Sequence, residues 1–231
     1  MNLPVVLGGV TVAAGIAAHG AFYRNSFVFG SALGRLPTRD RVVALTFDDG
    51  PNPDATPPIL DALAAADVKA TFFILGRHAE RWPALARRVH EEGHQIGNHG
   101  YYHRRLHFKG PRYVRDDLTR GADAIAQACG VRPALYRAPH GFRSPWVNAV
   151  ARSLGERVIG WSLGVWDSDR PGADVIARRT VAGARPGSIL LLHDGDGYDA
   201  AGDRKQTAQA VPAVLAKLAA RGYRFVPVPI A

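Results

Sequence analysis

Short apolar, β-branched runs alternate with helical patterns from residue 42 to residue 227, and this alternation limits the chain to a parallel sheet. The runs are Val42–Phe47, Ala70–Leu75, His94–Gly97, Ala134–Arg137, Arg157–Ser162, Ser188–His193 and Tyr223–Pro227. Helical patterns lie near Pro57–Ala66, Arg77–Glu92, Arg112–Cys129, Ser144–Leu154, Ala173–Ala184 and Gln206–Arg221. Thr56 stands before Pro57-Pro58 as a helix-start signal, and Gly93, Gly130, Gly155 and Gly222 follow helix ends.

Polar residues decide between an open and a closed sheet. Asp48-Asp49, His99/His103, Arg137, Asp167 and His193 each fall at or just after the C-terminal end of a different strand. In a barrel those ends ring one site, whereas in an open sheet they spread along a line. The fold expected is therefore α/β: an irregular (β/α)7 barrel, TIM-barrel-like, with an N-terminal apolar helix.

A chain of 231 residues can bury one large core, so a single main domain is expected over 41–231. Residues 24–40 read as a linker with Gly, Ser and Pro. Residues 1–23 contain no Asp, Glu, Lys or Arg, and the run LPVVLGGVTVAAGIAAHGAFY is long enough to cross a bilayer. We expect this stretch to be a membrane anchor or signal-anchor helix, which implies membrane association at the cell envelope. No cation precedes the apolar core, and Arg24, Arg35, Arg39 and Arg41 follow it. The positive-inside rule then favours a cytoplasmic domain, against export, so orientation is open.

Chemistry concentrates at VVALTFDDGP (42–51), where two adjacent carboxylates end a strand. Like charges so close are costly unless a cation divides their roles, one binding it and the other serving as base. HGYYH (99–103) carries histidines at i, i+4, which on a helical turn point both rings the same way. Two histidines and one carboxylate make an open hydrolytic metal site. Cys129 is the single cysteine, so a metal here is held by His and carboxylates. His78, His90 and His107 read as surface residues, and His94 as a support or a structural residue. The net charge of +9 is spread over Arg-rich helices without a nucleic-acid motif, so no nucleic-acid partner is expected.

TFDDGP (46–51), HGYYH (99–103), RAPHG (137–141), WSLGVWD (161–167) and LLLHD (190–194) together resemble the polysaccharide deacetylase family, the NodB-homology domain of carbohydrate esterase family 4. The resemblance covers about residues 41–227. It implies a metal-dependent hydrolase removing N-acetyl groups from N-acetylglucosamine-containing glycan. Asp48 would be the catalytic base, with Asp49, His99 and His103 the metal ligands. Arg137 would pair with Asp48 and hold it ionised. The backbone N–H of His140 would stabilise the oxyanion, and Leu191 would line the acetyl pocket. His193 would be the general acid, with Asp167 orienting it and raising its pKa.

This chain departs from the family's common pattern at His140 (usually Tyr), Gly164 (commonly Asp) and Ser168 (commonly Trp). Trp166 or Trp161 is then expected to supply the sugar-binding wall. The cofactor expected is a divalent metal, Zn2+ first, although two His and one Asp also accept Co2+, Ni2+ or Fe2+. The competing readings are an O-acetyl esterase on xylan-like polymers, a non-sugar amidohydrolase on the same scaffold, and an inactive glycan-binding or membrane protein.

Overall fold

The strand Val42–Asp48 (β1) is buried at every position and lies at the centre of the sheet. The computed structural model describes residues 3–230, with side chains from Thr11. After β1 come α2 (Thr56–Ala65), β2 (Thr71–Ile74), α3 (Gly76–Arg81), α4 (Pro83–Glu91), β3 (Gln95–Asn98) and α5 (Pro111–Cys129). The second half contains β4 (Leu135–Tyr136), α6 (Val147–Ser153), β5 (Arg157–Val158), β6 (Leu163–Gly164), α7 (Ala173–Gly183), β7 (Ile189–His193), α8 (Lys205–Ala220) and β8 (Arg224–Phe225). Strand order is β5-β4-β3-β2-β1-β7-β6, with β8 on the start of β1. The ladders are parallel, and the sheet curls into a half-barrel with helices outside, as the alternation predicts.

Alternation along each strand divides the core in two. Val43, Leu45 and Phe47 of β1, Phe72 and Ile74 of β2, and Leu190 and Leu192 of β7 pack outward against α2, α4, α7 and α8. Each large side chain so buried stabilises the fold by about 1.5–3 kcal/mol. The intervening residues face the barrel interior, where Ala44, Phe73, Leu135, Ile159 and Ile189 cluster. The same parity sends Thr46, Asp48, Leu191 and His193 inward. The apolar pattern thereby delivers polar groups to the barrel's C-terminal mouth.

Two element boundaries differ from expectation. The helix expected over Arg77–Glu92 is broken in two, because Pro83 lacks an N–H and Trp82 before it leaves helical geometry (φ −131°, ψ 58°). The strand expected over Arg157–Ser162 stops at Val158, and pairing resumes only at Leu163. Its middle is engaged elsewhere: Ile159 bridges Leu33, Gly160 N donates to Leu33 O, and Gly160 O accepts from Arg137 Nη2. The segment around Leu33–Leu36 also meets Gly187 and Ser188, so it crosses the gap between β5 and β7.

α1 spans Leu3–Phe22. Among the described residues no helix is long and apolar enough to cross a membrane, so the spanning anchor expected over 1–23 is not supported. Gly, Ala, Thr11 and His19 dilute its hydropathy. The C-terminal end of α1 instead docks on the barrel. Arg143, 1% exposed, donates through its amide to Ala21 O and through its guanidinium to Ser26 O and Gly30 O.

Candidate active site

Asp48, Asp49, His99, His103, His140, Trp161, Trp166, Asp167, Leu191 and His193 line one cavity of about 590 Å³. Arg137 lies beneath it, fully buried. Five separate strand ends contribute these groups, which is the geometry a curled parallel sheet creates.

Asp49, His99 and His103 converge, with their ligand atoms all within 4.8 Å of one another. His99 Nε2 and His103 Nε2 approach Asp49 Oδ1 at 3.3 and 3.1 Å. That oxygen is buried yet makes no hydrogen bond. Lone-pair atoms facing a common point, one of them an unsatisfied carboxylate oxygen, fit a divalent cation. His99 Nδ1 stands 2.8 Å from Arg137 O, and donation there leaves Nε2 as the ligand atom. The local field is negative. Burial would lower the His99 pKa, but Asp48 and Asp49 outweigh it and raise it. Burial would raise that of Asp49, but His103 and His99 hold it well below the ordinary carboxylate range.

The two histidines do not meet through a helical turn, as their spacing suggests. Residues 99–103 form a loop with Gly100 at φ +77° and His103 at φ 54°. Asp117 of α5 causes this: its Oδ1 accepts the Tyr101 and Tyr102 amides, which sets the loop's course. A Cβ on Gly100 would lie 2.4 Å from Asp117 Oδ2. His78, expected at the surface, is 2% exposed and stands 2.8 Å from Asp49 O through Nδ1. It braces Asp49 in a left-handed conformation (φ 72°). Asp49, His103, His140 and Trp166 all have positive φ and all line the cavity. Such backbone costs on the order of 1–3 kcal/mol per residue and is held by surrounding packing. His94 serves structure, its Nδ1 accepting the Ala70 amide.

Asp48 Oδ1 accepts a 2.6 Å hydrogen bond from Arg137 Nη1, which also reaches Thr46 Oγ1 at 2.8 Å. Arg137 stacks 4.0 Å over Phe73. Asp48 Oδ2 is left toward His99, 3.8 Å away. Across the site, Asp167 Oδ1 lies 2.9 Å from His193 Nδ1, while its Oδ2 accepts the His193 amide and Thr207 Oγ1. Burial alone would lower the His193 pKa; Asp167, with smaller help from Asp49 and Asp48, overrides it and lifts the group to about 9.

The departures in the third and fourth motifs acquire a physical reading. A Cβ on Gly164 would sit 3.2 Å from Trp161 Nε1, so glycine leaves room for the indole against the cavity. Trp166 is 70% exposed at the rim. Burial and the neighbouring His103 and His99 push His140 down to about 4, so it is neutral in ordinary buffers. Sequence reasoning missed Tyr198, whose ring stands edge-on to His103 at 5.4 Å and whose hydroxyl lies 3.3 Å from His140 Nε2. A lone aromatic in the Gly/Asp-rich stretch 195–203 was its signal. It also missed Phe22, Arg24, Arg105 and Phe142, which line the same cavity.

Fold and site together define a half-barrel hydrolase with a candidate Asp-His-His metal site at its mouth. Comparison with known proteins narrows this. The family model described as Polysaccharide deacetylase matches residues 35–159. A chitooligosaccharide deacetylase of Bradyrhizobium sp. is 39% identical over 196 residues, 82% of this chain and 90% of the relative. A peptidoglycan-N-acetylglucosamine deacetylase of Bacillus cereus is 35% identical over 204 residues, 86% and 92% of the two chains. The crystal structure of a peptidoglycan N-acetylglucosamine deacetylase bound to an N-oxidanyl-benzamide superposes with a TM-score of 0.79. It has 32% identity and covers 86% of this chain and 91% of its own. The chain belongs to the polysaccharide deacetylase family.

Proposed function

We propose that this protein removes N-acetyl groups from N-acetylglucosamine-containing glycan by metal-assisted hydrolysis, acting at the cell envelope. The observation that carries the reading is one cavity with a base candidate, a ligand triad and an acid candidate in its wall. The names of the relatives support the substrate class.

Asp49, His99 and His103 would hold a divalent cation, for which Zn2+ is our assignment, and when bound it would supply Lewis acidity. Asp48 takes a proton from the attacking water at Oδ2, because Oδ1 is committed to Arg137. As oxygen bonds to the carbonyl carbon, the backbone N–H of His140 donates to the developing oxyanion. Leu191, in the cavity wall, would receive the acetyl methyl. Trp166 and Trp161 form the sugar-facing wall. The C–N bond then breaks, and His193 Nε2 gives its proton to the leaving nitrogen. Asp167 holds His193 Nδ1–H and keeps Nε2 aimed into the cavity. The products are acetate and a free amine.

An amide needs the acid because an amine leaves poorly unless protonated, whereas an ester depends on it far less. His193→Ala should therefore lower acetate release from chito-oligosaccharides by roughly 10²–10⁴-fold. Acetate release from acetylated xylan alone, insensitive to His193→Ala, would replace this reading with an O-acetyl esterase.

A further inference from the structure

We propose that the C-terminal end of α1 completes a second sugar-binding subsite beside the catalytic centre, so that residues upstream of the family-matched region grip the glycan chain. The ligand class rests on the deacetylase reading above. The subsite itself rests on a continuous run of aromatic rings that leads out of the cavity.

The run begins at the candidate ligand His103. Its ring lies 4.7 Å from that of His140, and His140 lies 6.0 Å from Phe142. Phe142 meets Phe22, the last residue of α1, edge-on at 5.4 Å. Phe22 in turn contacts His107 at 5.0 Å and Phe108 at 6.5 Å. Phe22 is 49% exposed and Phe108 84%, so two large aromatic surfaces stand open next to the cavity. Phe22, His140 and Phe142 line the same cavity as Asp48 and His193.

The Phe22 ring is held in place. Arg24, two residues past Phe22, donates Nε–H to Trp161 O at 2.9 Å and lies 5.2 Å over the Trp161 ring. Asn25 Nδ2 donates to the same carbonyl, and Arg143 anchors Ala21 and Ser26. Segment 21–26 is thereby fastened to the catalytic wall at Trp161. An exposed aromatic ring on so fixed a segment is pre-organised, which lowers the entropy cost of binding. Neighbouring exposed aromatic rings at the edge of a cavity offer a surface on which a ligand can pack.

A pyranose suits the surface. Its axial C–H face stacks on an aromatic ring, while its hydroxyls remain free for the cations Arg24 and Arg105 on the cavity wall. Neither arginine forms an ion pair among the described residues. Continuity with the cavity points to the neighbouring sugar of the chain being deacetylated, rather than to an unrelated ligand.

The test compares the wild-type 231-residue chain with Phe22→Ala and Phe108→Ala on di- and penta-N-acetylchito-oligosaccharides. The ratio of kcat/KM for the pentasaccharide to that for the disaccharide should fall by roughly tenfold in Phe22→Ala, through KM. Phe108→Ala is a surface change that leaves folding intact, and should lower the ratio in the same direction. Calorimetric affinity for the pentasaccharide, measured in an Asp48→Asn background, should weaken to match. If wild type deacetylates no glycan, the deacetylase reading fails, while the affinity measurement still decides the subsite. Equal losses on both oligomers, or an unchanged pentasaccharide affinity, would overturn the proposal. Loss of binding to phosphatidylglycerol vesicles in these variants, with pentasaccharide affinity intact, would reassign the rings to a lipid surface.

Discussion

Asp48 and His193 are direct register partners on adjacent parallel strands, β1 and β7. The residue taken as base and the residue taken as acid thus start from one rung of the sheet. Each is then tied to a different neighbour: Asp48 to Arg137 on one flank and His193 to Asp167 on the other. The ladder sets their separation, and the flanking ions keep them apart in role.

That division predicts different fates for the paired aspartates. Asp48→Asn should retain its metal and lose turnover by roughly 10²–10⁴-fold, the range for a lost general base. Asp49→Ala should lose most of the metal. Metal content by mass spectrometry alongside kcat checks both, and an Asp48→Asn protein without metal would contradict the assignment.

His193 predicts the alkaline side of the pH profile. Its raised pKa keeps the imidazolium, the proton-donating form, until pH rises toward about 9. Activity should fall as pH passes through that limb, and a bound cation should draw it lower because positive charge disfavours imidazolium. Asp167→Asn removes the main raising influence, so the limb should shift to lower pH. In folding the sign is the same. The His193–Asp167 pair contributes stability fully present below the ordinary value of 6.5 and lost as pH rises to about 9. An unshifted limb in Asp167→Asn would remove Asp167 from the mechanism.

Arg137 predicts a stability effect. Its guanidinium is fully buried and is paired with a carboxylate that is 3% exposed. Arg137→Ala leaves that carboxylate without its partner, and breaking such a pair costs about 3–5 kcal/mol. Chemical denaturation should show a lower midpoint at unchanged slope. Arg137→Ala/Asp48→Ala should recover part of the loss, since no lone charge then remains.

Gly100 predicts a link from loop geometry to metal. An alanine there meets both an unfavourable φ of +77° and the Asp117 carboxylate. The loop should shift, costing on the order of 1–3 kcal/mol and weakening metal affinity through His99 and His103. Zinc titration of Gly100→Ala reads this directly.

Much of this architecture was legible because strand parity acts locally. The runs around Val42–Phe47 and Ser188–His193 announce both their strands and the inward direction of Asp48 and His193. The helix break at Trp82-Pro83 was not read, although Pro83 carries its signal, because the apolar pattern continues across it. The loop at 99–103 was not legible. Histidines at i, i+4 look alike on a helix and on a bent loop, and the deciding contact comes from Asp117 on another element. His78 was misread for the same reason, its partner Asp49 O lying far along the chain. Phe22 and Tyr198 reach the cavity only through tertiary docking, which no local period encodes.

The central claim is hydrolysis of an acetamide at a metal centre, and counting both products tests it most directly. Acetate and primary amine should be quantified together from N-acetylchito-oligosaccharide, before chelation, after it, and after zinc is restored. The account predicts one amine per acetate, loss of both with the metal, and return of both with zinc. Acetate without amine, or undiminished release from protein verified to be metal-free, would contradict it.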